Sequence, residues 1–375
     1  MEEGLLEEEK CLKDKKKFCL ILSIIINIIL LFTIIIIIII LKIMEKKKDD
    51  KNEDKKSSDI SSFSATYNTI KDNQVCSLIN KLPHKGLMTC NITKMTIDNN
   101  EEVTPNLNYT FPSAGIHTVN FWIDITECDS LDEMFSRLDN LIAISFTENF
   151  NTKNIKSMEK MFYDDGLLTS LDLSAFNTEN VETFSNFLRG CYNLASINLS
   201  NWNIIKARNY TYMFGYCYSL TSIDVSSFNT ENAETMELMF YACRSLTSIN
   251  LSNFNTKNVL AMDTMFLSCE SLTSLDLSNF DTSKVEDINS MFGACHSSKY
   301  LNISTFTKFT YTGNLFSGCT SLSILDMSSF IHNDDERNIF ESFPDSGTIY
   351  INHNYLNYVE KNLPKGWKIE IVDKR

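Results

Sequence analysis

Residues 271–296 read SLTSLDLSNFDTSKVEDINSMFGACH, and variants of this line recur along the C-terminal two thirds of the chain. Cys191, Cys217, Cys243, Cys269 and Cys295 follow one another at intervals of 26 residues, and Cys319 comes 24 residues later. A fixed period of this size marks a solenoid, in which each unit buries its apolar face only by stacking on its neighbours.

The first half of the unit places Leu272, Leu275, Leu277 and Phe280 as L-x-x-L-x-L-x-x-F, whose central L-x-L has strand spacing. In the second half, Val259, Met262, Met265, Phe266 and Cys269 fall at steps of three or four, which predicts a short helix. Between the halves stands F-N-T-x-N, as at Phe228–Asn232 and Phe254–Asn258, whose Asn and Thr suit the unpaired amides opening that helix. The phase survives changes of letter: Ala207, Tyr210, Met213 and Phe214 keep the apolar positions, and Phe187 with Leu188 replaces Met and Phe. A bundle of unrelated helices would not keep this phase, so the chain reads as an α/β solenoid of parallel strands and short helices.

The run MFxxCxSLTSLDLSxFxTxxVxxM, over roughly residues 117–375, resembles the BspA-type leucine-rich-repeat surface proteins, in the branch built on a 26-residue repeat. The resemblance implies a leucine-rich-repeat-like right-handed coil and a cell-surface role in adhesion. It brings no catalytic residues with it. This chain departs from the secreted or lipid-anchored arrangement of that family, because it opens with a membrane segment and has no lipobox cysteine.

Ahead of the repeats, residues 1–17 form a charged arm and residues 18–41, FCLILSIIINIILLFTIIIIIIIL, are interrupted only by Ser23, Asn27 and Thr33. As a helix this run is about 36 Å long, enough to cross a bilayer with some tilt. Lys42, Ile43, Met44 and a lysine run follow in place of a small-residue cleavage site, so the segment reads as an uncleaved signal anchor. Lysines flank it on both sides, and the count leans against external repeats. The surface resemblance instead implies a cytoplasmic amino terminus and a single-pass protein with its repeats outside. Six N-x-S/T sequons, at Asn91, Asn108, Asn198, Asn209, Asn250 and Asn302, permit that location without arguing for it.

Residues 42–75 mix Lys, Asp, Glu and Ser and read as a solvated stalk. Residues 76–127 alternate as short strands around the turns at Asn99–Asn100 and Pro112–Gly115, predicting a β-rich unit that covers the first open edge of the solenoid. Repeats occupy 128–340. Residues 341–375 leave the pattern as strand (Thr348–Ile351), short helix (Tyr355–Leu363) and strand (Trp367–Val372), a closing cap.

The ladder cysteines occupy one position in successive coils and point the same way, so they are expected as buried free thiols filling apolar space. Cys76 and Cys90, outside the repeats, could pair. No C-x-x-C pair, histidine cluster, nucleophile elbow, P-loop or dinucleotide fingerprint is present, so no catalytic residue, metal or cofactor is expected and the chain does not read as an enzyme. A formal charge of −14 and the lack of a basic, aromatic-rich face speak against nucleic acid. The expected partners are the membrane and an extracellular protein or glycan. The alternatives are a surface coat that self-associates, or an enzyme or sensor with its site in the N-terminal unit. One column is the candidate ligand-facing ladder: the middle position of L-x-L, which reads Asp172, Asn198, Asp224, Asn250, Asp276, Asn302 and Asp326. With strands stacked about 4.8 Å apart, an Asn between each pair of carboxylates would relieve their repulsion and donate to both.

Overall fold

The computed structural model describes residues 60–86, 88–98, 101–307, 309–330 and 338–372, all within one unit, Asp59–Arg375. The charged arm, the expected membrane segment 18–41 and the stalk up to residue 59 lie outside the described residues. Among the described residues no helix is long and apolar enough to cross a membrane.

The N-terminal unit contains β1 (Ile60–Thr69), β2 (Gln74–Ser77), β3 (His84–Lys85), β4 (Met88–Thr89), β5 (Ile92–Ile97), β6 (Glu101–Val103), β7 (Asn108–Phe111), β8 (Gly115–Asp124) and β9 (Leu141–Phe146). Five of these form an antiparallel sheet in the order β6-β5-β8-β1-β9, with β2–β7 and β3–β4 as separate pairs. The expected stalk therefore ends by residue 60, because β1 is an inner strand of this sheet. Ser61, Phe63, Ala65, Tyr67 and Thr69 alternate into the core, where the Phe63 ring stacks on Phe121 at 4.7 Å and meets Phe135 edge-on at 5.2 Å. The Tyr67 hydroxyl donates to the Leu78 carbonyl at 2.6 Å, which satisfies the one polar atom that ring buries. Cys90 is bonded to Cys128, while Cys76 is a buried free thiol, so the pairing of Cys76 with Cys90 that the sequence left open does not form.

Beyond this unit the chain winds as a β-solenoid of about eight turns. Its L-x-L strands are β10 (Ser170–Asp172), β11 (Ser196–Asn198), β12 (Ser274–Asp276), β13 (Tyr300–Asn302) and β14 (Ile324–Asp326), closed by β15 (Ser346–Ile351), the helix α1 (Leu356–Asn362) and β16 (Gly366–Ile371). The parallel pairs β10–β11 and β12–β13 keep the 26-residue register, Leu171 facing Ile197 and Leu275 facing Leu301, whereas Leu301 faces Leu325, Leu325 faces Ile349 and Ile349 faces Ile369 as the coils shorten toward β16. A second column of parallel bridges joins Ser130, Ser157, Thr183, Asn209, Thr235, Ala261, Asp287 and Tyr311.

The second half of each coil is not helical, although its apolar spacing suggested a helix. In the coil through Met236–Cys243, the N–H groups of Met236, Leu238, Phe240 and Ala242 donate to the next coil's Ala261, Asp263, Met265 and Leu267 carbonyls, at 2.7 to 3.1 Å. Those of Met239, Tyr241 and Cys243 turn back to Met236, Leu238 and Phe240. Every second N–H is thus spent between coils, whereas an α-helix spends all of them within itself. Two left-handed residues per coil make this possible: φ is +56° at Leu238 and +57° at Ala242, +56° at Thr264 and +63° at Ser268. A left-handed residue every fourth position folds the backbone into successive turns that bury one side chain in three or four, the same period a helix would show.

Side chains continue the stacking. Phe214, Phe240, Phe266, Phe292 and Phe316 form a column of near-parallel rings with centroids 5.5 to 6.2 Å apart. The F-N-T-x-N segment rungs the coils together where helix caps were expected: Thr230 Oγ1 donates to Asn255 O at 3.0 Å, and Asn232 Nδ2 donates to Ile205 O at 2.7 Å. The ladder cysteines are buried free thiols, each donating to a carbonyl one coil back, as Cys243 Sγ does to Phe214 O at 3.2 Å. Asp165 takes their place in the first full coil. It is wholly buried, one oxygen accepts the Leu138 N–H at 2.8 Å, and the other has no hydrogen-bond partner among the described residues.

Candidate functional site

The acidic and amide column of the L-x-L strands is present, but its chemistry is turned inward on the backbone. In all seven positions the side-chain Oδ1 accepts the N–H two residues on: Asp172 from Ser174, Asn198 from Ser200, Asp224 from Ser226, Asn250 from Ser252, Asp276 from Ser278, Asn302 from Ser304 and Asp326 from Ser328. Aspartate and asparagine share that acceptor oxygen, so the position selects for a side chain that ends the strand in an Asx turn. The expected relay of amide donors reduces to one contact, Asn198 Nδ2 to Asp172 Oδ1 at 3.0 Å. The Ser174 hydroxyl and N–H are the main reason the Asp172 carboxyl lies below its ordinary range, and Ser226 does the same for Asp224. Asp172 also lines a cleft of about 420 Å³ with Ser145, Phe146, Glu148, Ser174, Ala175 and Asn201.

A different surface gathers aromatic and basic side chains, among which the Tyr192 hydroxyl donates to Asp164 Oδ1 one coil back at 3.3 Å. The turns that precede and follow the ladder cysteines bring together Tyr163, Tyr192, Tyr212, Tyr216, Tyr218 and Tyr241 with Arg137, Arg189 and Arg244. The Arg189 guanidinium lies 4.2 Å from the Tyr212 ring centre and 5.5 Å from those of Tyr163 and Tyr216. Arg137 sits over Tyr163 at 5.0 Å and Arg244 over Tyr218 at 4.5 Å. Tyr216 meets Tyr241 edge-on at 4.8 Å, and Tyr192 packs on Tyr218 at 5.2 Å.

Local sequence builds this face. Tyr212 and Tyr216 occupy the two left-handed positions of their coil, φ +56° and +62°, which sets their rings nearly parallel at 6.2 Å. Gly215 leaves room between them, since a Cβ there would lie 2.6 Å from the Tyr212 ring. The rings are half-buried along their edges, and Tyr192 is 41% exposed. Burial, before any charge effect, pushes the phenols of Tyr192, Tyr212 and Tyr241 further above their ordinary range, and at neutral pH they are, like any phenol, hydroxyls able to donate and accept.

Electrostatically the three arginines differ. Arg137 faces Asp164 at 3.9 Å and Arg244 faces Glu270 at 3.3 Å. Arg189 has no carboxylate within ion-pair distance among the described residues, and its polar contact is the Asn186 side-chain oxygen at 3.2 Å. Ring faces, hydroxyls and one uncompensated cation, held rigid by stacking, suit non-covalent recognition. They offer no nucleophile beside a base, and among the described residues no group of three or more His, Cys, Asp or Glu is placed to hold a metal ion.

The face was missed in the sequence, where no basic, aromatic-rich surface was expected. Its signal was present at the variable positions of M-F-x-x-C-x: Tyr163, Arg189, Tyr216 and Tyr241 before the ladder position, Tyr192, Tyr218 and Arg244 just after it, against Leu267, Gly293 and Ser317 in later coils. Reading only the invariant letters hides it.

Among solved structures, the chain is similar to the one described as "Crystal structure of TLR13-ssRNA13 complex", at 13% identity and a TM-score of 0.26. The alignment covers 60% of this chain and 35% of that one, a likeness too low to argue from. No curated protein matches the chain. Residues 129–249 and 220–330, together more than half of the chain, match the family described as "Mycoplasma protein of unknown function, DUF285", and the chain belongs to that family.

Proposed function

We propose that this is a membrane-anchored surface protein of the BspA-type leucine-rich-repeat branch whose solenoid binds an extracellular partner through the tyrosine and arginine face. The observation that carries the reading is the grouping of six tyrosines and three arginines on successive coils. Tyrosine and arginine dominate binding hot spots because they bring large, rigid contact areas with few rotatable bonds. On the L-x-L strands the polar column is spent on Asx turns that serve the fold. The Cys90–Cys128 disulfide supports an oxidising, external location, since such bonds persist outside the cytosol. The apolar run 18–41 supports the anchor.

The test is adhesion of cells displaying the full chain to a panel of matrix proteins and glycans. Tyr216→Ala with Tyr241→Ala should cut adhesion at least tenfold, while Lys257→Ala, an exposed change elsewhere on the coil, should leave it intact. Equal adhesion by both variants, with melting temperatures matched, would contradict the reading.

A further inference from the structure

We propose that Arg189 is a receptor for a single carboxylate on an acidic sugar, with the surrounding tyrosines holding the sugar ring; this rests on the binding role given to the face above. Arg137 and Arg244 have their charges answered by Asp164 and Glu270, and Arg189 alone of the three does not. Its guanidinium is held against three tyrosine rings, so the flat fork of donors is oriented before any ligand arrives. A carboxylate matches that fork with two parallel hydrogen bonds, and a fork already held in place loses little freedom on binding.

The charge count selects the rest of the ligand. On this face, Arg189 is the one arginine without a carboxylate at ion-pair distance among the described residues, and on a chain of formal charge −14 it answers one anion. Nucleic acid brings a phosphate at every nucleotide and an acidic peptide brings runs of carboxylates, and both would leave most of their charge facing an acidic protein. A sugar acid spaces single carboxylates between neutral rings. Its C–H face meets the electron-rich plane of a tyrosine ring, and its hydroxyls meet phenols, which are protonated at neutral pH. Tyr192, 41% exposed and packed at a tilt against Tyr218, is the ring plane placed to receive the neighbouring sugar.

The experiment titrates the full chain, in detergent micelles, with a hexasaccharide alternating glucuronic acid and N-acetylglucosamine, and with the same oligosaccharide methyl-esterified. The acid form should bind at least tenfold more tightly, which is about 1.4 kcal/mol. Arg189→Gln should abolish the difference between the two forms, and Tyr192→Ala should weaken both. A single-stranded oligonucleotide and a poly-glutamate peptide complete the panel. Equal binding of acid and ester, no binding of either, or preference for the oligonucleotide or the peptide would each overturn the inference. Adhesion lost in the Tyr216→Ala, Tyr241→Ala cells is read separately, so the ligand class can fail while the binding role stands.

Discussion

Replacing Thr264 and Ser268 with glycine distinguishes a turn-built coil from a helical one by the sign of the stability change. Both residues are left-handed, φ +56° and +63°, and their N–H groups donate across the coil boundary to Asn289 and Gly293 at 2.8 Å. Glycine keeps those bonds and removes the clash of Cβ with the following carbonyl, about 1–2 kcal/mol per residue. Against this stands glycine's larger loss of chain entropy on folding, about 0.5–1 kcal/mol per residue. The double variant should therefore gain about 1–2 kcal/mol, more if the β-branched Thr264 is the more strained. Two coils carry glycine naturally at the second of these positions, Gly190 at φ +86° and Gly318 at φ +81°. In a helix the same pair of changes would lose up to about 1 kcal/mol, the gap between glycine and these already weak helix formers. For a unit of this size the expected gain raises the melting temperature by roughly 2–6 °C in a circular-dichroism melt. A fall of similar size would refute the account of the coil.

Burial is the main reason the Asp165 carboxyl is held well above its ordinary 3.8, so its neutral form is the one the fold favours. Its contribution is fully present below the unfolded value and is lost as pH rises toward the folded one; Asp165→Asn should match wild type at pH 3.5 and surpass it progressively above, by up to about 1.4 kcal/mol per pH unit in that window. A gap independent of pH in thermal melts would exclude ionisation as its cause. In the L-x-L column, Asn250→Asp keeps the acceptor of the Asx turn and should change stability by less than about 0.5 kcal/mol, whereas Asn250→Ala loses it and should cost about 0.5–1.5 kcal/mol; a larger loss for Asp than for Ala in denaturant melts would restore charge repulsion as the governing effect. Burial pushes the Cys243 and Cys319 thiols up to about 12, so the ladder cysteines should react with a maleimide only after unfolding, and labelling of the native protein at pH 7.5 would contradict the packing.

The period, the strand half of each coil and the buried thiols could be read from the letters because they depend on spacing alone. The helical half misled because left-handed turns every fourth residue bury side chains with the same period as a helix, and most of those positions carry residue types that do not announce them, Gly190, Gly318, Asn186, Asn314 and Asp164 apart. β1 was hidden because its core face reads Ser61, Phe63, Ala65, Tyr67, Thr69, and two of the five are polar. The partner of Cys90 could not be read because Cys128 sits 38 residues on, beyond the strands β5 to β8. The L-x-L column drew notice for its alternating charge, while its shared property, one acceptor oxygen two residues before an N–H, is common to both of its residue types. The tyrosine and arginine face depends on which variable positions of successive coils meet, and that is set by the stacking register.

Surface tyrosine labelling on intact cells tests the central claim most directly, because it reads location and binding face together. Iodination followed by mass spectrometry should modify Tyr192 and Tyr311, 41% and 54% exposed, on free cells, and leave the buried Tyr67 and Tyr210 untouched. On cells bound to their adhesive surface, Tyr192 and its neighbours Tyr216, Tyr218 and Tyr241 should become protected while Tyr311 stays reactive. Failure of intact cells to label at Tyr192, or protection at Tyr311 with none at the tyrosine and arginine face, would contradict it.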